Sequence, residues 1–138
     1  MAKHQLYIGL GSNMGDRKAL IMEALRLVGL QVGWVERTSS FIETEPWGFE
    51  SANKFLNAAA LVITRLSPQE CLERTQHIER MLGRTQKSTD GQYHDRPIDI
   101  DLLMYDNLIL QEKELTLPHP KIEEREFVRI PLGEILMH

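Results

Sequence analysis

At 138 residues, with 42% hydrophobic and 26% charged residues, the chain has the make-up of a globular domain with one core, so a single domain over 1–138 is expected. A formal net charge of −4 argues against broad electrostatic binding to nucleic acid, and no apolar run approaches the roughly 20 residues of a membrane span. Cys71 is the lone cysteine, which excludes an internal disulfide and suits a soluble, cytoplasmic protein with a packed thiol.

In chain order, Leu6-Tyr7-Ile8-Gly9-Leu10 reads as an opening strand stopped by Gly11-Ser12-Asn13. Asp16 suits a helix N-cap, and Leu20, Ala24, Leu25, Leu27 and Val28 carry helical spacing up to a stop at Gly29. One strand is expected from about Gly33 to Glu43, before the break Glu45-Pro46-Trp47-Gly48. Phe55 to Thr64 is dense in Ala, Val, Ile and Leu and suits a central strand. Ser67-Pro68-Gln69-Glu70 combines a capping box with proline at the first helical position, opening a helix that Gly83 stops. The pattern then dissolves into a polar segment until Pro97, beyond which Ile98 to Leu103 reads as a strand. Asp106-Asn107 reads as a hairpin turn into Leu108-Ile109-Leu110, and a short helix is expected near Lys121 to Arg125. This order is that of an α+β, ferredoxin-like split βαβ sandwich with two main helices on one face of an antiparallel sheet, plus a C-terminal hairpin and short helix.

The acid-bearing strand carries the strongest chemical signal. Residues two apart on a strand project from one face about 6.7 Å apart, so Asp99 and Asp101 stand together while Ile98, Ile100 and Leu102 face the other way. Such a pair implies a cation, an arginine cluster or a wet cleft, and hard oxygen donors suit Mg²⁺ shared with phosphates. Arg74, Arg80, Arg84, Lys87 and Arg96 lie on the approach and could take other phosphate oxygens, or form a solvated face. Gly9 to Asp16 lacks the end of a Walker A loop, so a tight strand-to-helix turn is the better account of its glycines. Gln76 and Glu79 share a helical face, and His119 is held between two prolines where it could donate to a phosphate. Phe55 and Asn57 share a strand face, offering one aromatic plane and one amide to a flat heterocycle, although core packing of Phe55 is equally compatible.

Taken together, these stretches resemble the 6-hydroxymethyl-7,8-dihydropterin pyrophosphokinases of folate biosynthesis from about Tyr7 to Leu132. Six segments carry the likeness: Gly9 to Asp16; Ser39-Ser40-Phe41 with Glu43 to Gly48; Phe55 to Ala59; Thr75 to Glu79 with Leu82-Gly83-Arg84; Arg96 to Leu103; and Leu117 to Pro120 with Arg125 to Val128. The resemblance implies an ATP-dependent diphosphokinase that moves pyrophosphate to the pterin hydroxymethyl group and releases AMP. It implies that Asp99 and Asp101 hold two Mg²⁺ ions and that the pterin stacks between Phe55 and Phe127. Thr44 and Asn57 would bond its polar edge, with Glu45 and Trp47 completing the slot. Gln76, Arg84, Arg96, Leu102, Thr116, His119 and Arg125 match ATP-contacting positions and Glu79 a position near them. Arg84 and Arg96 are then catalytic along with the acid pair, and Asp99 helps take the hydroxyl proton. The small-molecule substrates would be its partners, with no nucleic acid and no membrane, and the chain would act as a monomer.

The chain departs from the family pattern at Tyr93-His94-Asp95, where many members carry Trp-Gly-Pro, and at Gln86 and Glu114, where some carry arginine. The resemblance therefore assigns no catalytic role to Gln86 or Glu114. Segments near Glu43 to Asn53 and Arg84 to Asp95 are expected to close over the nucleotide, being long, polar and next to the acids. Two rivals remain open from residues alone: another Asp-x-Asp nucleotidyl- or glycosyl-transferase, and a non-enzymatic ferredoxin-like binding module.

Overall fold

The computed structural model describes residues 2–44, 54–83 and 97–136. Alternation of apolar residues with Tyr7, Gly9 and Gly11 makes β1 (His4–Ser12), whose Leu6, Ile8 and Leu10 point into the core. Asp16 caps α1 (Arg17–Gln31) by accepting from the Ala19 N–H at 3.2 Å. Gly29 does not stop this helix as its composition suggested. Nothing crowds the glycine, and the helix runs two residues further to cap at Val32.

The single strand expected from Gly33 to Glu43 is two, β2 (Gly33–Thr38) and β3 (Ile42–Thr44), both paired antiparallel with β4 (Phe55–Thr64). Ser39 causes the interruption. Its N–H donates to the Ala59 carbonyl and its hydroxyl accepts from the Ala59 N–H, both at 2.8 Å, so a side chain replaces one rung of the ladder. The capping box opens α2 (Pro68–Met81) as expected: the Glu70 N–H donates to Ser67 Oγ at 3.1 Å and the Ser67 N–H to Glu70 Oε1 at 2.9 Å. Gly83, at φ +102°, follows its end in the left-handed conformation that favours glycine.

The acids sit on β5 (Asp99–Tyr105), and the sheet order β2-β4-β1-β5 is that of the antiparallel split βαβ sandwich. β4 is central, flanked by β1 on one side and by β2 and β3 on the other. The expected hairpin at Asp106-Asn107 does not form. Asp106 turns at φ +50°, but Leu108 and Ile109 stay exposed, and the small hairpin pairs β6 (Leu110–Gln111) with β7 (Thr116–Leu117). The terminal helix also differs: residues 120–124 form turns, and α3 (Glu126–Leu136) follows them. Pro131 and Gly133 disguise α3 in sequence, because both weaken a helix interior.

Two apolar clusters hold these elements. α1 and α2 bury Ile21, Ala24, Val28 and Ile78 against Ile8, Leu10, Val62, Ile100 and Leu102 on one face of the sheet. Ile8 and Ile78 are fully buried, each worth about 1.5–3 kcal/mol. α3 covers part of the opposite face, packing Val128, Leu132 and Ile135 on Ala59, Leu61 and Leu103. The rest of that face carries the acids. No described helix is long and apolar enough to cross a membrane.

Candidate functional site

The site is built by strand register. β1 sets Gly11 opposite Asp99 on β5 and opposite Asn57 on β4, so one row across the sheet reads Asn57, Gly11, Asp99. Two strand spacings separate the outer members by about 10 Å. Glycine between them leaves the floor without a side chain. The next row on this face places Gly9 opposite Asp101. A Cβ added at Gly11 would lie 3.0 Å from Asn57 Oδ1 and 3.6 Å from Phe55 Cδ1, which shows how closely these groups line the gap.

Around this floor runs a slot lined by Gly9, Gly11, Phe55, Asn57, Asp99, Asp101, Arg125 and Phe127, with Leu10, Ala58 and Val128 completing its lining. Phe55 comes from the start of β4, and Phe127 from the first turn of α3. The Arg125 guanidinium lies 5.6 Å from the centre of the Phe127 ring, a cation–π distance, and the residue is 6% exposed. Asn57 is oriented by its amide Nδ2, which donates to Thr44 Oγ1 at 2.8 Å. Its Oδ1 is thereby directed toward the Gly11 gap.

Asp101 also lines a second, larger cleft of about 530 Å³ with Gln76, Leu102, Thr116 and His119. Leu72, Ile100, Leu115 and Pro120 supply its apolar surface, and Lys113 and Glu114 stand on its rim from the turn between β6 and β7. His119 is fixed at both ends: its N–H donates to the Leu103 carbonyl at 2.8 Å, and its Nδ1 accepts from the Lys121 N–H at 3.1 Å. The neutral ring therefore carries its proton on Nε2. Burial foremost, then the nearby Arg125 charge, pushes the imidazole below its ordinary value, against the opposing pull of Asp99.

Phe55, Asn57, Phe127, Asp99 and Asp101 thus come together in one slot, with Thr44 bonded to its rim. Gln76, Leu102, Thr116 and His119 gather in the neighbouring cleft. Two residues lie outside the neighbouring cleft. Arg125, expected among the nucleotide contacts, lines the slot. Glu79 lines neither cavity: it is 2% exposed, and its Oε2 accepts from the Ile100 N–H at 2.7 Å, bracing the backbone between the two acids. Glu45, Trp47, Arg84 and Arg96 lie outside the described residues, as do Gln86, Lys87 and Tyr93-His94-Asp95 and, apart from Glu43 and Thr44 on β3, the two segments expected to close. Sequence reasoning overlooked Gly9 and Gly11 as the slot's floor. Their spacing of two on a strand was the available signal, since it strips one sheet face of side chains.

Cys71 takes no part. Burial pushes its thiol up to about 11, which makes it inert.

A model of the family 7,8-dihydro-6-hydroxymethylpterin-pyrophosphokinase matches residues 7–137. Over 131 residues the chain is 52% identical to a 2-amino-4-hydroxy-6-hydroxymethyldihydropteridine pyrophosphokinase of Porphyromonas gingivalis, spanning 94% of this chain and 89% of that protein. The enzyme of the same name from Bacillus subtilis is 42% identical over 130 residues, spanning 94% of this chain and 76% of that one. A crystal structure of Plasmodium falciparum HPPK-DHPS with pteroate shares the fold, with a TM-score of 0.74 at 16% identity over 96% of this chain and 38% of that chain. Matched along nearly its whole length, the chain belongs to the 7,8-dihydro-6-hydroxymethylpterin-pyrophosphokinase family.

Proposed function

We propose that the chain transfers pyrophosphate from ATP to the hydroxymethyl group of 6-hydroxymethyl-7,8-dihydropterin, giving AMP and the pterin diphosphate. One observation carries the assignment of roles: a flat slot and a larger polar cleft meet at Asp101, so an acceptor in one and a nucleotide in the other would face each other across the acid pair.

Phe55 and Phe127 offer aromatic surface to the pterin, and Asn57 offers its edge an amide already oriented by Thr44. Glu45 and Trp47 would complete that slot. In the cleft, Gln76, Leu102, Thr116 and His119 take the nucleotide, with neutral His119 donating from Nε2 to a phosphate oxygen. Arg84 and Arg96, as catalytic groups, and Arg125 would draw charge from the phosphates and from the departing AMP. Glu79 serves this chemistry indirectly, through the backbone of Ile100. In the transfer the pterin hydroxyl oxygen forms a bond to the β-phosphorus, and the bond from that phosphorus to the α-phosphate oxygen breaks. The hydroxyl proton leaves toward the acid pair.

The donor set suits Mg²⁺. Asp99 and Asp101 share one face of β5 at partial exposure, and among the described residues no third Asp, Glu, His or Cys joins them in a cluster. Two hard carboxylates leave the remaining positions of one or two ions to phosphate oxygens and water, as Mg²⁺ requires. Bound there, Mg²⁺ would neutralise charge on the transferred group.

The chain is proposed to act as a monomer. Its single, buried thiol is consistent with a reducing cytoplasm. Incubation with ATP, Mg²⁺ and the pterin tests the assignment: AMP and pterin diphosphate should appear in equal amounts. Release of ADP or free pyrophosphate, or no reaction, would refute it.

A further inference from the structure

Arg17 breaks a local rule. It stands in the first turn of α1, which holds no acidic residue, and a cation there opposes the helix dipole. Its side chain reaches away from the helix. Nη2 donates to Glu43 Oε2 at 2.7 Å and Nη1 to the Lys54 carbonyl at 2.9 Å.

These acceptors are significant by position. Glu43 precedes Thr44 at the end of β3, and Lys54 precedes Phe55 at the start of β4, and Thr44 and Phe55 form the outermost pair of that ladder among the described residues. Among the described residues β3 makes three pairs with β4, a short ladder that a side-chain clip at its end would steady. α1 in contrast is anchored by fully buried Ile21 and Ala24. The guanidinium fork can hold both acceptors at once, which an ammonium group cannot do with the same geometry.

We infer that Arg17 is a positioning residue for the acceptor slot, clipping β3 to the start of β4 so that Thr44, Phe55 and Asn57 keep the arrangement that receives a flat heterocycle. The inference rests on the pterin assignment made above. Arg17 touches no substrate. It acts through Thr44, whose hydroxyl orients Asn57, and through Phe55.

Steady-state kinetics in the wild-type protein and three variants test the clip, with thermal unfolding recorded alongside. Arg17→Ala should raise the pterin KM about tenfold while the ATP KM stays within about twofold, since only one cavity loses its alignment. Arg17→Lys, able to keep one acceptor, should fall between. Arg26→Ala is the control: Arg26 pairs with Glu23 on the exposed side of the same helix, and both KM values should hold. An unmoved pterin KM in Arg17→Ala overturns the clip, and so does a parallel rise in both KM values. Should Arg17→Ala fail to fold, Glu43→Ala removes one acceptor and must shift the pterin KM in the same direction, or the clip falls. Wild-type protein that forms no AMP refutes the functional assignment itself, whereas an active wild type with an indifferent Arg17→Ala refutes the clip alone.

Discussion

Gly11→Ala places one methyl group on the floor of the proposed pterin slot. The new carbon would lie 3.0 Å from Asn57 Oδ1, too close for comfort, and 3.6 Å from Phe55 Cδ1, an ordinary contact. Asn57 can give way only by loosening the 2.8 Å bond from its Nδ2 to Thr44 Oγ1, since the residue is 4% exposed. A hydrogen bond of this kind contributes about 0.5–1.5 kcal/mol, and lost packing against the ligand adds about 1 kcal/mol. Their sum corresponds to a rise of roughly 10- to 60-fold in the pterin Kd. Gly11 lies in regular strand pairing, so the global unfolding free energy should fall by less than about 1.5 kcal/mol. Titration of the pterin by fluorescence or calorimetry, in the presence of a non-hydrolysable ATP analogue, reads the effect directly. Gly9→Ala separates the two causes: its added carbon meets Leu103 Cδ1 at 3.5 Å, ordinary van der Waals contact, so only the part of the loss that comes from filling the slot's floor should remain. Unchanged pterin affinity in Gly11→Ala would refute the placement of the acceptor over this row of the sheet.

Asp99→Asn and Asp101→Asn should each remove AMP formation while leaving the melting temperature unchanged or higher, because the repulsion between neighbouring carboxylates is relieved; full turnover in either would refute the metal assignment. Glu79→Ala should cost about 1–3 kcal/mol in urea unfolding by leaving the Ile100 N–H without this acceptor, and Glu79→Gln, which keeps an acceptor, should cost less. Glu134 is held below the ordinary carboxylate range, first by the Ser40 N–H and then by the Ser40 hydroxyl. A lowered folded value means stability present above about pH 4.5 and lost as pH falls. Ser40→Ala should flatten this acid dependence of the melting temperature. The Cys71 thiol, raised to about 11 from 9.0, carries the opposite sign: stability is whole below pH 9 and declines as pH rises toward 11, more steeply than in Cys71→Ala.

Local rules held at the helix caps and at one helix stop, though not at Gly29, which α1 runs through. The Ser67 and Glu70 box, the Asp16 cap and the Gly83 stop all describe groups a few residues apart, and all formed as expected. Pattern failed where a distant partner decided. Ser39 ends β2 because the Ala59 backbone is opposite it, and Leu108 and Ile109 form no strand because β6 finds its partner in β7. α3 forms through Pro131 and Gly133 because the sheet face offers Ala59, Leu61 and Leu103 for its apolar side to cover. Burial there outweighs poor helix propensity.

The two aspartates follow the same division. Sequence by itself determined that Asp99 and Asp101 share one face of a strand, since the period of two is a property of the extended backbone. It also determined the family resemblance, because six short motifs survive in order along the chain. Only the tertiary structure decided what lies beside those acids. The register of β1 brought Gly11 between Asp99 and Asn57, the docking of α3 brought Arg125 and Phe127 to the slot, and the docking of α2 set Glu79 behind Ile100. Pairing between strands is a long-range choice, made by burial of both sheet faces at once, and no local stretch of sequence encodes it.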